Sequence, residues 1–191
     1  TVTMSEAVYN TNGGSGSIEM SDFALSISGG VASINTTPST ISSSGNEYTL
    51  GLTISGTPNG SETLTVVPSS SSAIYDLAGN AASTTQSNNT VSLNDTSPPT
   101  LSNVSIVSNN TTNTLAKAGD EITLTFTASE TINEPVVTFQ SGSSSITDSS
   151  VTYTNTSGNT WTAKYTSNAS DTDGSVSFSI AFTDGSNAGT D

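Results

Sequence analysis

The chain has no cysteine and no histidine, and only 2 basic residues against 16 acidic ones. Without cysteine there is no disulfide framework, no thiol nucleophile and no thiolate metal site. Without histidine, Ser-His-Asp catalysis, imidazole bases and the usual zinc ligands are excluded. Two cations do not neutralise a phosphate backbone, so nucleic acid is excluded as a partner. A net charge of −14 also works against anionic membrane surfaces. Apolar residues are sparse, at 31% of 191. No run approaches the ~20 apolar residues of a membrane-spanning helix, so membrane insertion is not expected. Aromatic residues are only 6%, too few for the deep ring-lined cleft expected around a glycosidase's paired carboxylates. The chain reads as non-enzymatic.

What is present is hydroxyl. Serine and threonine supply 38 and 34 residues. Such a composition also suits a disordered or mucin-like stalk. The apolar residues, however, recur too regularly for that. Phe23, Leu25 and Ile27 alternate with small polar residues, as do Tyr48, Leu50, Leu52 and Ile54. Later come Leu64 and Val66, then Val91 and Leu93. After residue 100 the same style returns in Val104 and Ile106, in Ile122, Leu124 and Phe126, and in Val137 and Phe139. Val151 and Tyr153, then Trp161, Ala163 and Tyr165, then Val176, Phe178, Ile180 and Phe182 complete the series. A period of two marks half-buried strands. Threonine between the apolar positions is β-branched and keeps an outer sheet face wet. Gly-Gly, Asn-Gly and serine-rich breaks separate the runs, as turns require. No segment holds the i, i+3, i+4, i+7 spacing of a helix.

The sharpest punctuation is Asn94-Asp95-Thr96-Ser97-Pro98-Pro99-Thr100. Two prolines hold extended backbone and do not fit a central strand. We therefore expect a short linker dividing residues 1–95 from residues 96–191. Each part has the length of a β-sandwich, with about seven short strands and turns every 8–12 residues. The expected fold is all-β: two tandem Ig-like sandwiches. Thr1-Val2-Thr3-Met4 already alternates, so both ends are expected to be cut from a longer protein.

Several stretches resemble bacterial Ig-like repeats of giant extracellular, adhesin-type cell-surface proteins. One such family is named after a cyanobacterial swimming-motility surface protein. In the first part these are Thr3-Met4-Ser5-Glu6-Ala7-Val8-Tyr9 and Ile74-Tyr75-Asp76-Leu77-Ala78-Gly79-Asn80. In the second part they are Thr114 to Asp120, Leu124 to Glu130, Asn159-Thr160-Trp161-Thr162-Ala163 and Phe182-Thr183-Asp184, similar to a sister repeat type. The resemblance covers nearly the whole chain and says little about a ligand. It implies spacers in adhesins or accessory modules of secreted enzymes. Against that pattern the first repeat lacks the strand expected before Thr1 and the second lacks the one after Asp191. A missing edge strand leaves an exposed backbone row, which a neighbouring chain can fill by strand addition.

Ig-like strand directions gather carboxylates at one pole. Glu130 ends the second strand of the second repeat, Asp184 follows its sixth strand, and Asp95 lies in the segment entering it; Glu134 is a fourth candidate. Like charges with nearly no cation to pair them suit a hard divalent ion with oxygen ligands, and Ca²⁺ tolerates the irregular geometry of loops. Glu6 and Asp76, with Asp22 or Asn80, form the corresponding set in the first repeat. Gly79 and Asn80 are expected to shape a tight turn. Asp171-Thr172-Asp173-Gly174 opens like an EF-hand loop, but Phe182 holds the twelfth position, so a plain turn is expected. Trp161 falls in the inward phase and Lys164 in the outward one. The function expected is that of a calcium-stiffened, secreted or cell-surface spacer whose partners are neighbouring repeats. The alternatives are a carbohydrate- or surface-binding module and an accessory domain of a secreted enzyme.

Overall fold

Alternating residues put one side chain in the core and the next in water, so each strand shows its burial in its sequence. The computed structural model describes residues 1–148 and 150–190 and is all-β, 45% strand and 2% helical, with several sheets consistent with a β-sandwich. The chain divides into two units, Thr1–Thr96 and Ser97–Asp191.

The first unit holds β1 (Val2–Thr3), β2 (Val8–Tyr9), β3 (Phe23–Ser28), β4 (Ser33–Ile34) and β5 (Thr40–Ser44). It continues with β6 (Glu47–Gly51), β7 (Ile54–Ser55), β8 (Thr63–Pro68), β9 (Tyr75–Asp76) and β10 (Thr90–Ser92). One sheet has the order β1-β6-β5 and another β10-β8-β3; β2-β9 and β4-β7 are two-stranded ribbons. A single 3-10 turn, Met20–Asp22, precedes β3, and the Asp22 carboxylate accepts the Glu19 N–H at 2.7 Å. Ile18, Phe23, Tyr48, Ala73 and Ile74 form a small core. The rings of Phe23 and Tyr48 lie 6.3 Å apart at 52°, within the range of tilted aromatic pairs.

The first unit also buries a charge. Glu62 is fully buried. Its Oε1 accepts the N–H groups of Val31 at 2.8 Å and Ala32 at 3.0 Å, and its Oε2 that of Asn59 at 3.0 Å. A buried carboxylate is tolerated only when hydrogen-bonded in this way. Burial raises the Glu62 pKa, but the N–H groups of Ala32, Val31 and Asn59 outweigh it and hold the carboxyl below its ordinary value. Gly30, at φ 56°, passes so close that a Cβ there would collide with the carboxylate.

The second unit holds β11 (Leu101–Ser108), β12 (Glu121–Ala128), β13 (Val136–Ser141), β14 (Ser144–Ser145), β15 (Thr152–Ser157), β16 (Thr160–Thr166) and β17 (Val176–Ala181). Its sheets have the orders β11-β12-β16-β15 and β14-β13-β17. In β12, Ile122, Leu124, Phe126 and Ala128 are buried and the residues between them half-buried. Across the ladder Phe126 faces Trp161, Leu124 faces Ala163, and Ile122 faces Tyr165. Large and small residues alternate along β16, so the facing side chains interdigitate. Val137 and Phe139 close the core from the other sheet, with the Phe139 and Tyr165 rings 4.7 Å apart at 43°. Burying each large apolar side chain contributes roughly 1.5–3 kcal/mol. The Tyr153 hydroxyl of β15 accepts the Val137 N–H of β13 at 3.1 Å and so ties the two sheets together. Trp161 is in the core as expected, and Lys164 points outward to Glu121 at 2.8 Å. A bulge between Ser102 and Ser105 in β11 coincides with Asn103 at φ 52°, the kind of residue that tolerates a positive φ.

Candidate metal centre

Within the second unit, antiparallel strands bring the end of β12, the end of β17 and the start of β11 to one pole. Ser129 N–H donates to the Thr100 carbonyl at 2.9 Å, and Thr100 N–H to Ser129 Oγ at 3.0 Å. Thr190 N–H donates to the Pro99 carbonyl at 3.0 Å on the other flank. These bonds seat Glu130 and Asp184 side by side: a carboxylate oxygen of each lies within 4.8 Å of the other. Two oxygens on one Ca²⁺, each at 2.3–2.6 Å, are at most about 5.2 Å apart. The spacing of the pair lets both carboxylates reach one metal ion.

Asp184 is organised by its own turn. Its Oδ1 accepts the N–H of Ser186 at 2.5 Å and of Asn187 at 2.6 Å, and its Oδ2 meets Asn187 Nδ2 at 3.2 Å. The Asn187 N–H, foremost among these donors, holds the carboxyl below its ordinary value, keeping it ionised. Glu134 is exposed, two residues before β13, and is not part of that pair.

Asp95 belongs to the first unit, where its Cβ lies beside Gly60 and the next residue, Thr96, bonds its N–H to the Pro58 carbonyl at 2.9 Å. It is five residues before Thr100, the residue bonded to Ser129.

The first unit's expected set behaves differently. Glu6 is exposed between β1 and β2. Asp76 closes its own turn: Oδ1 accepts the Asn80 N–H at 2.7 Å and Oδ2 the Asn80 Nδ2 at 2.8 Å. The Asn80 side chain, then its N–H, pulls the Asp76 pKa down. Asp22 serves the 3-10 turn. Among the described residues, Glu6 and Asp76 join no group of three acids at metal-binding spacing. Asp171 likewise binds backbone, accepting the Thr147 N–H at 2.7 Å and the Asn168 N–H at 2.8 Å.

Sequence reasoning missed Glu62. Its partners at Val31 and Ala32 lie about thirty residues away, and no local pattern announces them. It also missed an open depression of about 780 Å³ at the opposite pole of the second unit, lined in part by Ile106, Leu115, Lys117, Ile122, Asp173 and Val176. Tyr165 borders it but is buried, so its ring offers no stacking platform.

No known protein family, curated protein or solved structure matches the chain. No helix among the described residues is long and apolar enough to cross a membrane.

Proposed function

We propose that this chain is a pair of Ig-like repeats serving as a non-catalytic extracellular spacer of a bacterial surface or secreted adhesin-like protein, stiffened by calcium. The observation that carries the reading is the pairing of Glu130 with Asp184 at the pole where the chain enters the second unit. Glu134 stands nearby in sequence as a further candidate ligand. One ion held by Glu130 and Asp184 ties the turn after β12 to the turn after β17 and so stiffens the second repeat, which is what a spacer requires. The threonine- and serine-clad strands support a setting outside the cell, where solubility comes without cysteine chemistry. The depression lined by Leu115, Lys117 and Asp173 supports a second reading as a binding module, though without an exposed ring it offers a sugar no stacking surface.

Extracellular calcium modules bind with dissociation constants on the order of 10⁻⁴–10⁻³ M. At ~10 mM calcium one site then stabilises the folded chain by roughly 1.4–2.7 kcal/mol. Calorimetry with calcium and with chelator measures this. Asp184→Asn should abolish the response while the chain stays folded. Identical melting in calcium and chelator would discard the calcium part of the reading.

A further inference from the structure

The dipeptide Asn-Gly occurs twice in the chain, at Asn12-Gly13 and at Asn59-Gly60. Glycine has no Cβ and a freely turning backbone, so its nitrogen can approach the side chain of an asparagine before it. In an unfolded chain the two sites are equivalent. The fold of the first unit treats them oppositely.

Asn59 is fastened. Its N–H donates to Glu62 Oε2 at 3.0 Å, and its Oδ1 accepts the Ser61 N–H at 3.1 Å. Glu62 is itself fully buried and held by the N–H groups of Val31 and Ala32. Just before it, the Pro58 carbonyl accepts the Thr96 N–H at 2.9 Å, and a Cβ on Gly60 would lie 3.2 Å from the Cβ of Asp95. To bring the Gly60 nitrogen onto the Asn59 carboxamide, the bonds between them must rotate. That rotation breaks a hydrogen bond to Ser61 or to Glu62.

Asn12 is not fastened. Asn12, Gly13 and Gly14 form the turn between Thr11 and Ser15, which a single bridge joins, Thr11 N–H to the Ser15 carbonyl at 3.1 Å. Among the described residues no hydrogen bond engages the Asn12 carboxamide or the Gly13 N–H. Asn12 is exposed, and nothing lies within 4 Å of the place a Gly13 Cβ would take. Gly13 sits at φ 98°, a conformation that glycine enters and leaves without steric cost. The Asn12 carboxamide rests beside Gly79, where a Cβ would collide with it. Contact with a bare glycine does not lock its rotamer.

We propose that Asn12 is a site of spontaneous covalent modification, deamidated by the chain's own backbone, and that the Glu62 network protects Asn59 from the same reaction. The Gly13 nitrogen gives up its proton and attacks Asn12 Cγ. A C–N bond forms, the Cγ–Nδ2 bond breaks, and Nδ2 leaves with that proton as ammonia, closing a cyclic succinimide. Water then opens either carbonyl of the ring and leaves an aspartate or an isoaspartate at position 12. Water is the only co-reactant, and nothing is oxidised or reduced. The product adds a carboxylate to a unit with no basic residue, beside the turn closed by Asp76 and Asn80.

The test is incubation of the full chain at mildly alkaline pH, folded and in urea, then cleavage after glutamate and mass spectrometry. Cleavage places Asn12 in residues 7–19 and Asn59 in residues 48–62. In the folded chain, residues 7–19 should gain the mass of an amide-to-acid change at least about tenfold faster than residues 48–62, because attack at Asn59 must first break a hydrogen bond. In urea the two should convert at similar rates. Asn12→Gln should remove the change from residues 7–19 and leave residues 48–62 as they were. Equal conversion of the two segments in the folded chain would overturn the proposal, and so would an Asn12 that converts only in urea. A change in residues 7–19 that survives Asn12→Gln would place the reaction at Asn10 and overturn it as well.

Discussion

The two units carry the same net charge by different means. The first has seven acidic residues and no basic one; the second has nine acidic residues and both lysines. The first therefore neutralises acids with backbone N–H groups, at Glu62, Asp76 and Asp22. The second adds a side-chain ion pair between Lys164 and Glu121, both more than a third exposed and so worth little. Their cores differ more. Strands of six to eight residues let the second unit stack Ile122, Leu124, Phe126 and Ala128 against Trp161, Ala163 and Tyr165. Strands of two to six residues leave the first with five clustered core residues and a buried glutamate. Strand length sets how many inward positions a sheet supplies, and where it falls short a polar network takes part of the core's place. The first unit should melt below the second.

The largest test of that contrast is Phe126→Ala. Phe126 is fully buried, and emptying its site should cost about 3–5 kcal/mol. Calorimetry should show the upper transition falling while the lower one stays. If both transitions move together, the two units do not unfold independently.

Acid should separate the units next. The folded-state pKa of Glu62 is depressed, so its contribution is present above the unfolded value of about 4.3 and is lost as pH falls through the folded value. The lower transition should therefore drop on acidification below about pH 4. In Glu62→Gln it should be lower already at neutral pH and flatter in acid. A variant that melts like the parent across this range would deny the carboxylate its structural role.

Salt should have the smallest effect and the most even one. Equal net charge predicts a similar modest rise of both transitions between low and moderate NaCl in chelator, as self-repulsion is screened. A response confined to one transition would show that local clusters, rather than net charge, govern it.

The strands built on alternating apolar residues were legible from sequence: β3, β8, β12, β13, β16 and β17 lie where Phe23, Leu64, Ile122, Val137, Trp161 and Val176 begin their runs. β5 was not, because Thr40–Ser44 offers only Ile41 to the pattern and depends on its ladder with β6. The two-residue strands β4, β7, β9 and β14 are too short for any period. At the candidate centre, Glu130 and Asp184 were legible because strand direction alone brings their turns together. Asp76 was ambiguous, because an aspartate four residues before an asparagine can serve its own turn, as it does here with Asn80, as readily as an ion.

Trp161 is the chain's single tryptophan, and among the described residues its indole Nε1 has no hydrogen-bond partner. A dry indole beside Phe126 emits at short wavelength, and it moves to the red when water reaches it. Excited selectively, this one ring watches only the second unit open, while the tyrosines at positions 9, 48 and 75 belong to the first. The molecule thus carries an intrinsic optical label that distinguishes its two halves without any added dye.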